Sequence, residues 1–97
     1  MKIRILSVAR QELMDAIAYY NNERAGLGFE FAAEFKNTIL RITGFPDVWP
    51  QITTRSRRCL MNRFPYAVLY QHNSAQILVV AVAHLRRDPQ KWQERTS

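Results

Sequence analysis

Between Gln76 and His84 the chain reads QILVVAVAH, its most apolar stretch. A strand that is apolar on both faces must be covered on both, so it belongs inside a sheet. It delivers His84, and just beyond it Arg86 and Arg87, to its own end. An inner strand is a stiff mount, and polar groups at its tip are held where they can act on a ligand. This strand lies in the run from Arg63 to Arg95, and the residues before that run are read as building and covering the sheet.

Lys2 to Leu6 alternates charged and apolar residues, which predicts a short strand with one wet face at a sheet edge. Ser7 suits an N-cap. Ala9, Leu13, Ala16, Ile17 and Tyr20 then recur at helical spacing and predict an amphipathic helix over Val8 to Asn22. Arg24 to Gly28 (RAGLG) reads as a turn. A second helix follows from about Phe29 to Thr43, with Phe31, Phe35, Ile39 and Ile42 as its apolar stripe. Gly44 is a C-terminal cap, and Pro46 blocks continuation. Phe45 to Thr54 carries two prolines and no period, so it is a loop that Trp49 pins to the core.

From Arg55 onward the pattern is that of strands. Arg57 to Asn62 is short, with Arg58 and Leu60 on one face and Arg57, Cys59 and Met61 on the other. Arg63 to Pro65 forms a bend. Tyr66 to His72 is rich in β-formers. Asn73 and Ser74 turn the chain back into Gln76 to His84 as a hairpin. Asp88 and Pro89 open a last helical turn over Gln90 to Glu94, with Trp92 folded back on the sheet.

The expected architecture is one α+β domain over residues 1–97, a two-layer βααβββ unit. The final strand needs a partner on its free side, and the first strand is the one available. The expected sheet is four-stranded and antiparallel, in order 1-4-3-2, with the helix pair on one face and a short C-terminal helix.

Charge is unevenly placed. Residues 1–54 balance six bases with six acids, so the net charge of +6 comes from the remainder. Its bases are Arg55, Arg57, Arg58, Arg63, Arg86, Arg87, Lys91 and Arg95, set against Asp88 and Glu94. Arginine presents a planar fork that matches phosphates and carboxylates, which points to an anionic partner, nucleic acid or an acidic protein. The competing reading is scattered surface charge and salt bridges, with Arg87 paired to Asp88 or Glu94 and Arg95 on a solvated tail.

Several chemistries find no residues. His72, His84 and Cys59 make no metal-ligand set. The glycines form no phosphate loop, and no cofactor is expected. No apolar run is long enough to span a bilayer, and no signal peptide is expected. A single cysteine fits a reducing cytoplasm. What remains is His84 with the arginines. Cleaving RNA through its own 2′-hydroxyl needs a proton acceptor, a proton donor and cations for the pentavalent phosphate. His84 titrates in the right range, and the arginines supply charge, but a second acid or base is missing. By strand parity His84 shares a face with Leu78, Val80 and Val82. The competing reading is a histidine bonded to backbone at a strand end. For Tyr66 and Tyr70 the expected role is core packing.

Several stretches together resemble the RelE/ParE superfamily of bacterial type II toxins. They are Ala18-Tyr19-Tyr20, Gly26-Leu27-Gly28-Phe29-Glu30-Phe31, Trp49-Pro50, Arg57-Arg58, Arg63-Phe64-Pro65-Tyr66, and Ala83-His84-Leu85-Arg86-Arg87-Asp88-Pro89 with Trp92 and Arg95. The resemblance covers nearly the whole chain and lies closest to the ParE-like, plasmid-stabilisation group. It implies a growth-inhibiting toxin that acts by binding DNA gyrase and is neutralised by an acidic antitoxin, with operator DNA contacted only through that antitoxin. The antitoxin is expected as a helix along the helix pair or as a strand on a free sheet edge. The RelE-like alternative is a metal-independent endoribonuclease acting on mRNA at the ribosome, with His84 as acid or base and Arg58, Arg63 and Arg86 stabilising charge. Whichever branch holds, Arg55, Arg57, Arg87, Lys91 and Arg95 are the expected target or nucleic-acid contacts. A third reading is a non-toxic binding module on the same fold.

Overall fold

A computed structural model describes residues 1–87 and Arg95. The elements follow in the order β1 (Lys2–Ile5), α1 (Ser7–Glu23), α2 (Leu27–Gly44), β2 (Arg57–Leu60), β3 (Tyr66–His72) and β4 (Gln76–His84). They form one four-stranded sheet in the expected order β1-β4-β3-β2, with β4 inside it. The expected helical turn over Gln90 to Glu94, with Lys91 and Trp92, lies outside the described residues. Among the described residues no helix is long and apolar enough to cross a membrane.

The sheet is mixed, not antiparallel throughout. β2, β3 and β4 form the expected meander, but β1 runs parallel to β4, from Lys2↔Gln76 to Ile5↔Val79. The reason is the path of the helices. α1 starts two residues after β1 and continues towards the His84 end of the sheet, where Tyr20 packs on Phe64 and Tyr66. α2 returns, and the chain beyond it meets the His72 end, where Tyr70 bonds Pro46 and His72 pairs with Asp47. β2 therefore sets out in the same direction as β1, and so does β4.

Ser7 is the first residue of α1 and caps nothing. Leu6 holds the N-cap position without a side-chain bond. The two helices cross closely at Gly28. A Cβ there would lie 2.3 Å from the Ile17 carbonyl oxygen, well inside van der Waals contact. The Gly28 amide donates to Asn21 Oδ1 at 2.8 Å, which ties the helices at this point. Gly26, at φ 89°, makes the tight turn between them.

The helix-facing core joins Ala9 and Ala16 of α1, Phe31, Phe35 and Ile42 of α2, and Cys59, Tyr66, Val68, Tyr70, Ile77, Val79 and Val82 of the sheet. Trp49 packs against it, as expected. Thr38 is fully buried in the α2 stripe, its hydroxyl donating to Glu34 O and accepting from Arg41 Nη2. The other sheet face buries small residues, Ala67, Ala81 and Ala83 with Leu69 and Val80, under Leu6 and Ile52.

β4 holds a bulge. Leu69 pairs with Ala81 and Tyr70 with Val79, so Val80 is an extra residue. A bulge reverses the alternation of side chains beyond it. Val82 and His84 therefore join Ile77 and Val79 on the helix side, while Leu78 and Val80 face the other way. The simple parity that grouped His84 with Leu78 and Val80 fails at this residue.

Candidate functional site

The sheet has two basic ends, and they are built differently. β3 pairs through Tyr66↔His84 at one end and His72↔Ile77 at the other. Six strand rises separate them, about 20 Å.

At the first end, His84 lies edge-on to Tyr66, ring centroids 5.0 Å apart. Tyr66 meets Phe31 at 4.9 Å, Phe31 meets Phe64 at 5.0 Å, and Tyr20 stacks on Phe31 at 5.4 Å. The Arg87 guanidinium lies over the Tyr19 ring at 5.8 Å. One cluster thus ties α1, α2, β3 and β4 together, and aromatic pairs of this kind add about 0.5–1.5 kcal/mol each beyond their burial. The Tyr19-Tyr20, Phe31, Phe64-Pro65-Tyr66 and His84 motifs are its parts.

His84 Nδ1 accepts the Arg86 backbone N–H at 3.0 Å, so the neutral ring carries its proton on Nε2. Burial holds the imidazole below its usual pKa, and the Arg87 and Arg86 charges push the same way. Burial likewise raises the Tyr66 hydroxyl. With Nδ1 occupied by the Arg86 N–H and the proton on Nε2, the neutral ring has no free lone pair with which to take a proton. Arg63, in the left-handed region at φ 70°, pairs with Glu30, which also binds Arg24. Those two cations hold the Glu30 carboxyl below its usual range, the Arg63 bond foremost.

Arg58 is remote from this group in the sense that matters. It pairs with Leu69 across the ladder and so lies on the sheet face away from the helices. His84 is on the helix side. The structure therefore places His84, Arg86 and Arg87 at one strand end, Arg63 against Glu30, and Arg58 on the opposite face. Cys59 is buried, which pushes its thiol up, and it is a core residue.

Arg95 is not on a solvated tail. It forms a two-pronged pair with Glu12, at 3.1 and 2.9 Å, and donates from Nη1 to Val80 O at 3.0 Å. Glu12 Oε1 also accepts the Val82 N–H at 3.1 Å. β1 stops at Ile5↔Val79, so these bonds satisfy the β4 edge where a longer β1 would have continued. Glu12 escaped the sequence reading. An acid in the second turn of an amphipathic helix looks like a solvated face.

At the second end, the chain before β2 forms a tight hairpin. Ile52 N and Thr53 N donate to Ser56 O, and the Thr53 hydroxyl accepts from Arg55 N and Ser56 N. Arg58 N donates to Pro50 O. Arg55 is displayed near the tip, exposed, with no carboxylate partner among the described residues. Arg57 stands behind it, half-buried, its Nη1 on Trp49 O at 2.8 Å. An open cleft of about 380 Å³ lies between this hairpin and the end of β3.

Two helices and a four-stranded mixed sheet with basic side chains at both ends define an α+β domain. Comparison with known proteins then gives the family. Residues 3–89 match the family described as ParE toxin of type II toxin-antitoxin system, parDE, and the chain belongs to it. A solved structure, "Chromosomal ParDE TA system from P. aeruginosa", is similar in fold at 11% identity with a TM-score of 0.65, covering 89% of this chain and 97% of that one. No curated protein matches the sequence. The chain is a type II toxin of the ParE kind.

Proposed function

We propose that this toxin arrests growth by binding its target, with DNA gyrase as that target, and not by cutting RNA. The observation that carries the reading is the split of the nuclease set: His84 is neutral and hydrogen-bonded on the helix side, while Arg58 lies on the other face. RNA cleavage needs those groups around one phosphate. The ParE branch of the resemblance points to gyrase.

The proposed partner is an acidic antitoxin that covers the outer helix surface. Large apolar side chains stay exposed there, with Phe29 at 73%, Leu40 at 60% and Met14 at 54%. Exposed apolar surface on a soluble chain is characteristic of a protein contact. The proposed setting is the cytoplasm.

The test uses the purified chain with gyrase and, separately, with mRNA, with and without ribosomes. Inhibition of supercoiling without RNA cleavage is the expected result. Cleavage that disappears in His84→Ala contradicts the reading and restores the endoribonuclease.

A further inference from the structure

The cleft beside Arg55 lies away from the His84 cluster, and its chemistry is specific. Its walls are Gln51, Thr54, Arg55 and Arg57 on the hairpin side and Gln71 and His72 from β3. Among the described residues its wall holds no carboxylate, although Asp47 stands against the His72 ring. Its volume falls within the range of roughly 300–1,000 Å³ usual for small-ligand sites. Such sites are mostly apolar, whereas this wall is amide, hydroxyl, imidazole and guanidinium. That composition suits a hydrated anion.

The cleft is also held in shape before any ligand arrives. Gln51 bridges to Arg57 across the hairpin, and Ser56, fully buried, accepts from Gln71 Nε2 at 3.1 Å. Arg57 is fixed by its bond to Trp49 O, which uses one of five N–H donors. His72 is fixed by Asp47, which bonds its Nε2 at 3.0 Å. Two guanidiniums at a rigid turn, Arg57 anchored and Arg55 without an ion-pair partner among the described residues, offer the forked donors that phosphate oxygens take.

We infer that this cleft is a phosphate-binding site, and that its ligand is the phosphate of a nucleic-acid backbone. Cleft and hairpin lie at the opposite end of β3 from His84, so the site does not depend on whether His84 is catalytic. A single-stranded backbone fits an open groove with donors on both walls.

The test follows backbone and side-chain NMR signals of the full chain during titration with inorganic phosphate, and separately with a short single-stranded oligonucleotide. Shifts at Thr54, Arg55, Arg57 and His72, with the oligonucleotide binding more tightly than phosphate, support the inference. In that case Arg55→Ala weakens oligonucleotide binding about tenfold and lowers the salt slope by about one. Arg86→Ala, the same charge change at the other end, leaves both unchanged. Phosphate binding there with no gain from the oligonucleotide keeps the site and assigns it to a free phosphate. No response to either probe overturns it. So do shifts centred on His84 to Arg87, or tighter binding of an acidic peptide than of the oligonucleotide.

Discussion

The two ends of the sheet carry the same kinds of side chain and put them to different use. At the His84 end, a histidine and arginines are absorbed into structure: His84 against Tyr66 and the Arg86 amide, Arg87 over Tyr19, Arg63 on Glu30. At the His72 end, the arginines face a cleft and Arg55 is unpaired among the described residues. The motifs that make the family recognisable concentrate at the first end. The lesson is that a motif rich in His, Arg and Tyr marks a built element, and only the geometry tells whether it is built for packing or for a ligand.

That contrast breaks most visibly under core truncation. Phe31, fully buried between Tyr20, Phe64 and Tyr66, is the hub of the aromatic end. Phe31→Ala should cost about 3–5 kcal/mol in a urea melt. A loss below about 1 kcal/mol would mean that the cluster holds little together. Next comes Gly28→Ala, whose new methyl meets backbone at Ile17 and must push the helices apart. Its expected cost is about 1–3 kcal/mol. Glu12→Ala removes the acceptor of the Val82 N–H and the two-pronged carboxylate partner of Arg95. It should cost about 1–3 kcal/mol and speed hydrogen exchange at Val82.

Smaller effects are expected from single groups. Tyr70 is fully buried and donates to Pro46 O at 2.6 Å, and burial pushes its hydroxyl up to about 12. A raised folded pKa means the folded state keeps its proton longer. This contribution is complete below the ordinary tyrosine pKa of about 10 and is lost as pH rises through about 12. Tyr70→Phe should flatten that alkaline loss. At the His72 end, Arg55→Ala should change stability by no more than about 0.5 kcal/mol, as for surface residues generally.

Much of this was legible in the sequence, because periodicity reports burial. The stripes of α1 and α2, the extents of β3 and β4 and the anchoring of Trp49 all follow from which residues avoid water. Strand direction does not. Nothing in the alternation of Lys2 to Leu6 says whether β1 runs with β4 or against it; the helix path decides that. The Val80 bulge was equally hidden, since a run of valines and alanines reads the same in either register. It moved His84 to the helix side, and with that the grouping of the candidate site changed. Gly28 was read as a turn residue and Glu12 drew no reading for a related reason: each is defined by a partner on the facing helix or far along the chain.

The central claim is that His84 is a packed, neutral strand-end residue. Its depressed pKa means that stability linked to it is present above about pH 6.5 and lost as pH falls towards the folded value. The most direct measurement is an NMR titration of the His84 ring nitrogens in the folded chain. The account predicts a midpoint below about 6.5 with the neutral proton on Nε2. A midpoint above that value, or a proton on Nδ1 in the neutral ring, would contradict it and reopen the case for an acid–base centre at that end of the sheet.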